Sequence, residues 1–317
     1  MKSGLLLNRL AAAVTASLIG IAPQAAHAVP FYSAFRPGAN PATTSFPRLG
    51  TIDTTTGASS LIGPANITGF FGAAFDDRNG TLYGIVNGGG YVLSGPPPST
   101  PAASRLATIN LATGAATVIG NTGIAGPVLA LEISANGIAY TVGWDDNLYT
   151  LNKTTGLATL VGATGFGSVD PTIGRGVMLM DLAFDSHGTL WGTDLNRLWT
   201  FDLSTGLATF RTNINGTGPV DAAFDVGEVM GIAFDASDHL FATTLADPGG
   251  LFEVDTTTGN ATLISTITAS NRAHGGDILT PVPEPASLTL FGTALACLGV
   301  IRRRKRPQSW QPVLTGV

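Results

Sequence analysis

Five stretches of the chain align with one another without a gap, and this repetition constrains the fold more than any other feature. They are RLGTIDTTTGASSLIG from Arg48, RLATINLATGAATVIG from Arg105, NLYTLNKTTGLATLVG from Asn147, RLWTFDLSTGLATFRT from Arg197 and GLFEVDTTTGNATLIS from Gly250. Their turn glycines, Gly57, Gly114, Gly156, Gly206 and Gly259, lie 57, 42, 50 and 53 residues apart. Each copy sets D/N-x-x-T-G between two strand-like runs. An Asp or Asn side chain can close such a turn, and Gly accepts a positive φ without a Cβ penalty. The unit is therefore a β-hairpin with a four- or five-residue loop. Asp53, Asp202 and Asp255 suggest a repeated calcium ligand, but Asn110 and Asn152 hold the same place in the other copies. A turn bond needs no charge, so the position reads as structural.

A second hairpin alternates with the first: FFGAAFDDRNGTLYG, LALEISANGIAYTVG, MLMDLAFDSHGTLWGT and VMGIAFDASDHLFATT. Its first strand carries large residues on one face (Phe71, Ala73 and Phe75; Met180, Leu182 and Phe184) and small ones between, as expected of an inner strand packed on both sides. An aromatic recurs in its second strand at Tyr83, Tyr140, Trp191 and Phe241, which suits a filler between repeats. Two hairpins per 40–55 residues predict an all-β fold, a β-propeller of four-stranded blades. The 41 Gly and 19 Pro agree, since both are poor helix formers. Five outer hairpins but four inner ones require the last pair to come from both ends, Phe31–Phe35 and Gly275–Leu279. Five blades are expected over residues 29–281, with six as the alternative. The repeats resemble the bacterial YVTN-type and quinoprotein-like propeller families, which implies fold without a functional motif.

The two ends read as addresses. Lys2 and Arg9 precede an uncharged run from Leu10 to Ile21, and Ala26-His27-Ala28 places small residues, Ala26 and Ala28, where a signal peptidase reads. Residues 1–28 are expected to form a cleaved signal helix. At the other end Val282-Pro283-Glu284-Pro285 leads into an uncharged run over 286–301, a short transmembrane helix, and then Arg302, Arg303, Arg304, Lys305 and Arg306. The basic cluster stays cytoplasmic by the positive-inside rule, so the body is exported. A tail over 307–317 follows. This order of elements over 282–306 resembles the PEP-CTERM sorting signal of Gram-negative bacteria. The resemblance implies recognition by an exosortase, transient anchoring in the inner membrane, cleavage near the motif, and a final place at the cell surface or outside the cell. Without both ends the body has nine basic and 20 acidic residues, a net charge of −11, which disfavours nucleic acid as a partner and permits cations. The single Cys297 falls in the hydrophobic run, where it reads as an apolar filler.

Catalytic motifs are missing. The sequence contains no H-E-x-x-H, CxxC, G-x-S-x-G or Walker A pattern. His187 and His239 read as solvated turn residues, and His274 as a loop residue beside Arg272 and Asp277. The longest inter-blade loops, 163–178, 213–229 and 266–276, gather the remaining candidates: Asp170, Arg175, Asp221, Asp225, Glu228, Arg272 and His274. Their carboxylates suit a hard cation such as Ca2+ if they converge, and are otherwise solvated loop charges. No other cofactor is expected. Two function classes follow. One is a non-catalytic binding or structural module in an exopolysaccharide or biofilm layer, with a polysaccharide or surface protein as partner. The alternative is a secreted hydrolase or lyase acting on a lactone or polysaccharide.

Overall fold

The computed structural model describes residues 29–36, 48–64, 67, 69–87, 104–166, 179–194, 196–216, 229–244, 249–267 and 272–280. The signal helix, the transmembrane run and the basic cluster lie outside them. Among the described residues no helix is long and apolar enough to cross a membrane. What they form is a five-bladed β-propeller of antiparallel four-stranded sheets.

Numbered in chain order, blade 1 contains β1 (Pro30–Arg36), β2 (Arg48–Asp53), β3 (Ser59–Ile62) and, from the far end of the chain, β21 (Arg272–Ile278). Blade 2 is β4 (Phe70–Asp76), β5 (Thr81–Asn87), β6 (Ser104–Ile109) and β7 (Ala116–Asn121). Blade 3 is β8 (Glu132–Ile133), β9 (Ala139–Val142), β10 (Asn147–Leu151) and β11 (Ala158–Ala163). Blade 4 is β12 (Asp181–Phe184), β13 (Leu190–Asp194), β14 (Arg197–Phe201) and β15 (Ala208–Asn213). Blade 5 is β17 (Val229–Phe234), β18 (Leu240–Thr244), β19 (Gly250–Val254) and β20 (Asn260–Thr266), with β16 (Asn215–Gly216) added parallel to β20 at the outer edge. The inner strands β21, β4, β8, β12 and β17 stand side by side around the axis. β1 pairs with β2 on one side and β21 on the other, so the two ends of the chain complete one sheet as the missing hairpin required.

The repeated turn makes its bonds from the residues the sequence repeats. Asn152 Oδ1 accepts the N–H groups of Thr154 and Thr155 at 2.9 and 3.0 Å. Gly156 N–H donates to the Asn152 carbonyl at 2.7 Å, and Gly156 takes φ 82°. Asp53, Asn110, Asp202 and Asp255 accept the same two bonds, so charge is irrelevant to the turn. Each turn also docks on the outermost strand of the blade before it. A Cβ at Gly114, Gly156 or Gly206 would sit about 2.5–2.6 Å from the carbonyl oxygen of Ile62, Gly120 or Gly162, and Gly259 meets Asn213 in the same way. At the seam Gly57 meets Ser265 of blade 5. Backbone bonds from Ala158 to Thr122 and from Ala208 to Thr164, at 2.9 and 2.8 Å, fasten consecutive outer strands.

Nearer the axis, the recurring aromatic of one blade packs on the inner strand of the next. Tyr140 lies edge-on to Phe184 with centroids 5.7 Å apart, and Trp191 is tilted against Phe234 at 6.1 Å. Tyr32 on β1 supplies the fifth member and packs edge-on to Phe75 at 5.2 Å. Aromatic pairs of this kind contribute about 0.5–1.5 kcal/mol beyond the area they bury.

Two substitutions separate the jobs of the turn. Asn152→Asp keeps the acceptor and is expected to change stability by less than about 0.5 kcal/mol, whereas Asn152→Ala loses it and costs about 1 kcal/mol. Gly156→Ala must adopt a positive φ and push into Gly120, and is expected to cost at least about 2 kcal/mol. Urea unfolding of the three variants checks the order.

Candidate functional site

The inner strands end in the turns of the inner hairpins, and there a cavity of about 370 Å3 opens on the propeller axis. One ring position defines its chemistry. It is the inner-strand residue directly opposite the recurring aromatic: Ala74 faces Tyr83, Ala183 faces Trp191 and Ala233 faces Phe241. In blade 3 the place is taken by Glu132, opposite Tyr140, and in blade 1 by Asp277, opposite Tyr32. Two acids therefore line the cavity from the blades on either side of blade 2, at a level where the other blades carry only methyl groups. Asp77 follows β4 at the same mouth, and Asp181 begins β12 two residues before Ala183.

Glu132, Asp181 and Asp277 are buried with few donors, and Asp77 is half-buried. Glu132 is 5% exposed, and its Oε2 has no hydrogen-bond partner. Asp181 is fully buried; Ile232 N–H donates to its Oδ2 at 2.9 Å, and its Oδ1 has no partner. Asp277 accepts from Phe75 N–H at 2.7 Å, a bond from blade 1 to blade 2. Asp77 accepts from the hydroxyl and N–H of Thr280. Burial foremost, and then the charges of Asp277 and Asp181, hold the Glu132 carboxyl well above its ordinary range. Burial does the same to Asp181 against its backbone bonds. It lifts Asp277 to about 8, and it raises Asp77.

The nearby cations are committed elsewhere. Asp76 accepts from Arg78 Nε and Nη2 at 2.8 and 2.9 Å and from Lys153 Nζ at 2.5 Å. Lys153 belongs to the outer turn of blade 3, so this node is a strut between blades 2 and 3. The Arg78 and Lys153 bonds hold the Asp76 carboxyl below its usual range. Among the described residues no Lys or Arg lines the cavity.

Of the residues expected from the inter-blade loops, Asp170, Arg175, Asp221, Asp225 and Glu228 lie outside the described residues. Arg272 and His274 lie not in a loop but in β21. The consecutive Gly275 and Gly276 suggest a loop in sequence, yet they are needed where β21 runs close to its neighbours: a Cβ at Gly275 would sit 2.3 Å from the Phe71 carbonyl oxygen. His274 is fully buried, edge-on to Phe71 at 5.2 Å, and burial pushes its pKa down to about 3. It is a neutral core residue. Among the described residues no three of His, Cys, Asp and Glu lie close enough together to hold one metal ion. Ser186, His187 and Asp238 do meet on the surface between blades 4 and 5. There Ser186 donates both its N–H, at 2.7 Å, and its hydroxyl, at 2.6 Å, to Asp238, which makes a tie between turns. Its hydroxyl proton is directed to the carboxylate and not to the imidazole, unlike a nucleophile–base pair.

Comparison with known proteins decides what the C-terminus is. Residues 281–305 match the family described as the PEP-CTERM protein-sorting motif. The chain carries a PEP-CTERM sorting motif. The PEP-CTERM match implies export, processing by an exosortase and sorting to the cell surface. No curated protein matches the sequence. Among solved structures, the chain resembles one in the crystal structure of a nidogen/laminin complex, at 11% identity over 80% of this chain and 98% of that one, TM-score 0.49. A protein of unknown function from Bacteroides thetaiotaomicron is 14% identical over 78% of this chain and 65% of that one, TM-score 0.48. Regucalcin from Agrobacterium tumefaciens, titled a calcium-binding protein, is 17% identical over 74% and 72%, TM-score 0.39.

The buried acids give this PEP-CTERM protein a defined pH response. A carboxyl raised on folding contributes stability that is full below its ordinary value, 3.8 for Asp277, and is lost as pH rises through about 8. His274 acts oppositely: its contribution is full above 6.5 and lost as pH falls toward 3. Between pH 6.5 and 8 only the acid cluster of the two is titrating. The melting temperature is expected to fall across that window, and Asp277→Asn, which keeps an acceptor for Phe75, should flatten the slope. An unchanged slope in calorimetry would remove Asp277 as the cause.

Proposed function

We propose that the protein is exported, cut by an exosortase near Pro283-Glu284-Pro285, and kept at the cell surface or in the extracellular matrix. There the propeller serves as a non-catalytic binding module for a polysaccharide or surface protein. The carrying observation is the sorting motif at 281–305, which begins directly after the last propeller strand ends at Ile278.

The placement of the closing strands supports the two processing steps. A signal peptidase cut after Ala28 leaves Val29 as the first residue, and β1 begins at Pro30. A cut near 282–285 falls beyond β21. Both cuts thus spare the strands that close the ring, so the processed body retains every blade. The run 286–301 holds the chain in the inner membrane until the second cut, with Arg302–Arg306 on the cytoplasmic side.

Replacing Pro283, Glu284 and Pro285 with Ala is expected to leave the protein exported but retained in the membrane. Fractionation of producing cells reads this directly. Release or display equal to that of the unaltered chain contradicts exosortase processing at this motif.

A further inference from the structure

The axial cavity has more to it than buried acid. Its volume, about 370 Å3, lies in the range of small-molecule sites and far exceeds what a bare ion fills. Among the described residues no three of its carboxylates lie close enough to share one metal. Its walls include the rings of Tyr140, Phe184 and Phe234 with Ile133 and Ile278, while Asn136 and Thr280 bring polar groups to it. An apolar wall beside carboxylates suits a ligand with one flat, weakly polar face and one positive charge.

Glu132 supplies the independent sign of a missing partner. A buried carboxylate oxygen is normally hydrogen-bonded, and leaving it bare is costly. Oε2 of Glu132 is bare, in a side chain 5% exposed that lines the cavity, and Asp277 lines the same cavity at the same ring level. A donor with several N–H groups and a positive charge satisfies both acids together. A primary ammonium has three such donors.

We propose that this cavity binds an amino sugar with a free amine, the ammonium seated between Glu132 and Asp277 and the sugar ring against the aromatic wall. The proposal rests on the binding-module reading above and gives that module its ligand class. No covalent step is involved. The groups facing the ammonium are Glu132 on β8, Asp277 on β21 and Asp77 after β4, with Asp185, Asp235 and His187 on the surrounding turns; the charge of Asp181 on β12 also acts on Glu132. A bound cation favours the ionised form of acids that burial otherwise keeps protonated, so binding near pH 7 releases protons.

Titration calorimetry on the full chain tests this with D-glucosamine, N-acetyl-D-glucosamine, D-glucose and calcium chloride, each in two buffers of different ionisation enthalpy at pH 7. Glucosamine is expected to bind with buffer-dependent heat, and the two uncharged sugars at least about ten-fold more weakly. Glu132→Gln should lose at least about ten-fold of the glucosamine affinity while keeping the β-sheet circular dichroism. If that variant fails to fold, the comparison of free with acetylated amine on the unaltered chain decides alone. Equal binding of all three sugars overturns the proposal, as does absence of glucosamine binding, or binding of calcium in its place. A chain that ignores glucosamine but is still retained by extracellular polymer loses only the amine assignment. A chain retained by neither loses the binding-module reading as well.

Discussion

The structure depends on one pairing: β1, at the start of the propeller, lies between β2 and β21, at its end. A row of blades left open exposes the outermost strand of its last member and the inner strand of its first. Pairing the two ends inside one blade removes both exposed faces, and the docked turn glycine then recurs at all five junctions. The seam uses the same devices as the other junctions. Gly57 docks on Ser265 of blade 5, and on the other side of the closing blade Tyr32 packs on Phe75 of blade 2 as Tyr140 packs on Phe184. Within the closing blade β1 pairs with β21, and the Ser33 hydroxyl donates to the Gly275 carbonyl, 242 positions away, at 2.6 Å. Such a contact rewards the chain only after the rest of the ring has assembled.

Most of this was legible from residues that act locally. The D/N-x-x-T-G turn is written in five adjacent positions, and its tolerance of Asn already showed that hydrogen bonding, not charge, selects the residue. The blade count followed from one absent hairpin. Tyr32 was not recognised as the fifth aromatic, because its strand lacks the turn that marks the other four; its partner strand is at the opposite end of the chain.

The acidic cavity was harder to read. Glu132 and Asp277 share a ring position with Ala74, Ala183 and Ala233, but that equivalence exists only in the strand register. A charged residue in an inner strand of otherwise apolar and small residues is the signal the sequence carries for it. His274 shows the converse. It is expected in a loop beside Arg272 and Asp277, and the structure buries it in β21, where close packing at Gly275 makes it part of the core. The same closure connects fold to site, since Asp277 sits on β21 and holds Phe75 of the next blade. Export processing, as proposed, trims the chain just outside the two strands on which both depend.

Amide hydrogen exchange of the full chain measures the closure directly. If β1 and β21 lock the ring, the amides of Tyr32, Ser33 and Phe35 exchange only by global unfolding, with the same free energy as those in the centre of β5 and β13. Exchange of the β1 amides through a low-energy local opening, while the inner strands of blades 2 to 5 stay protected, would contradict the account.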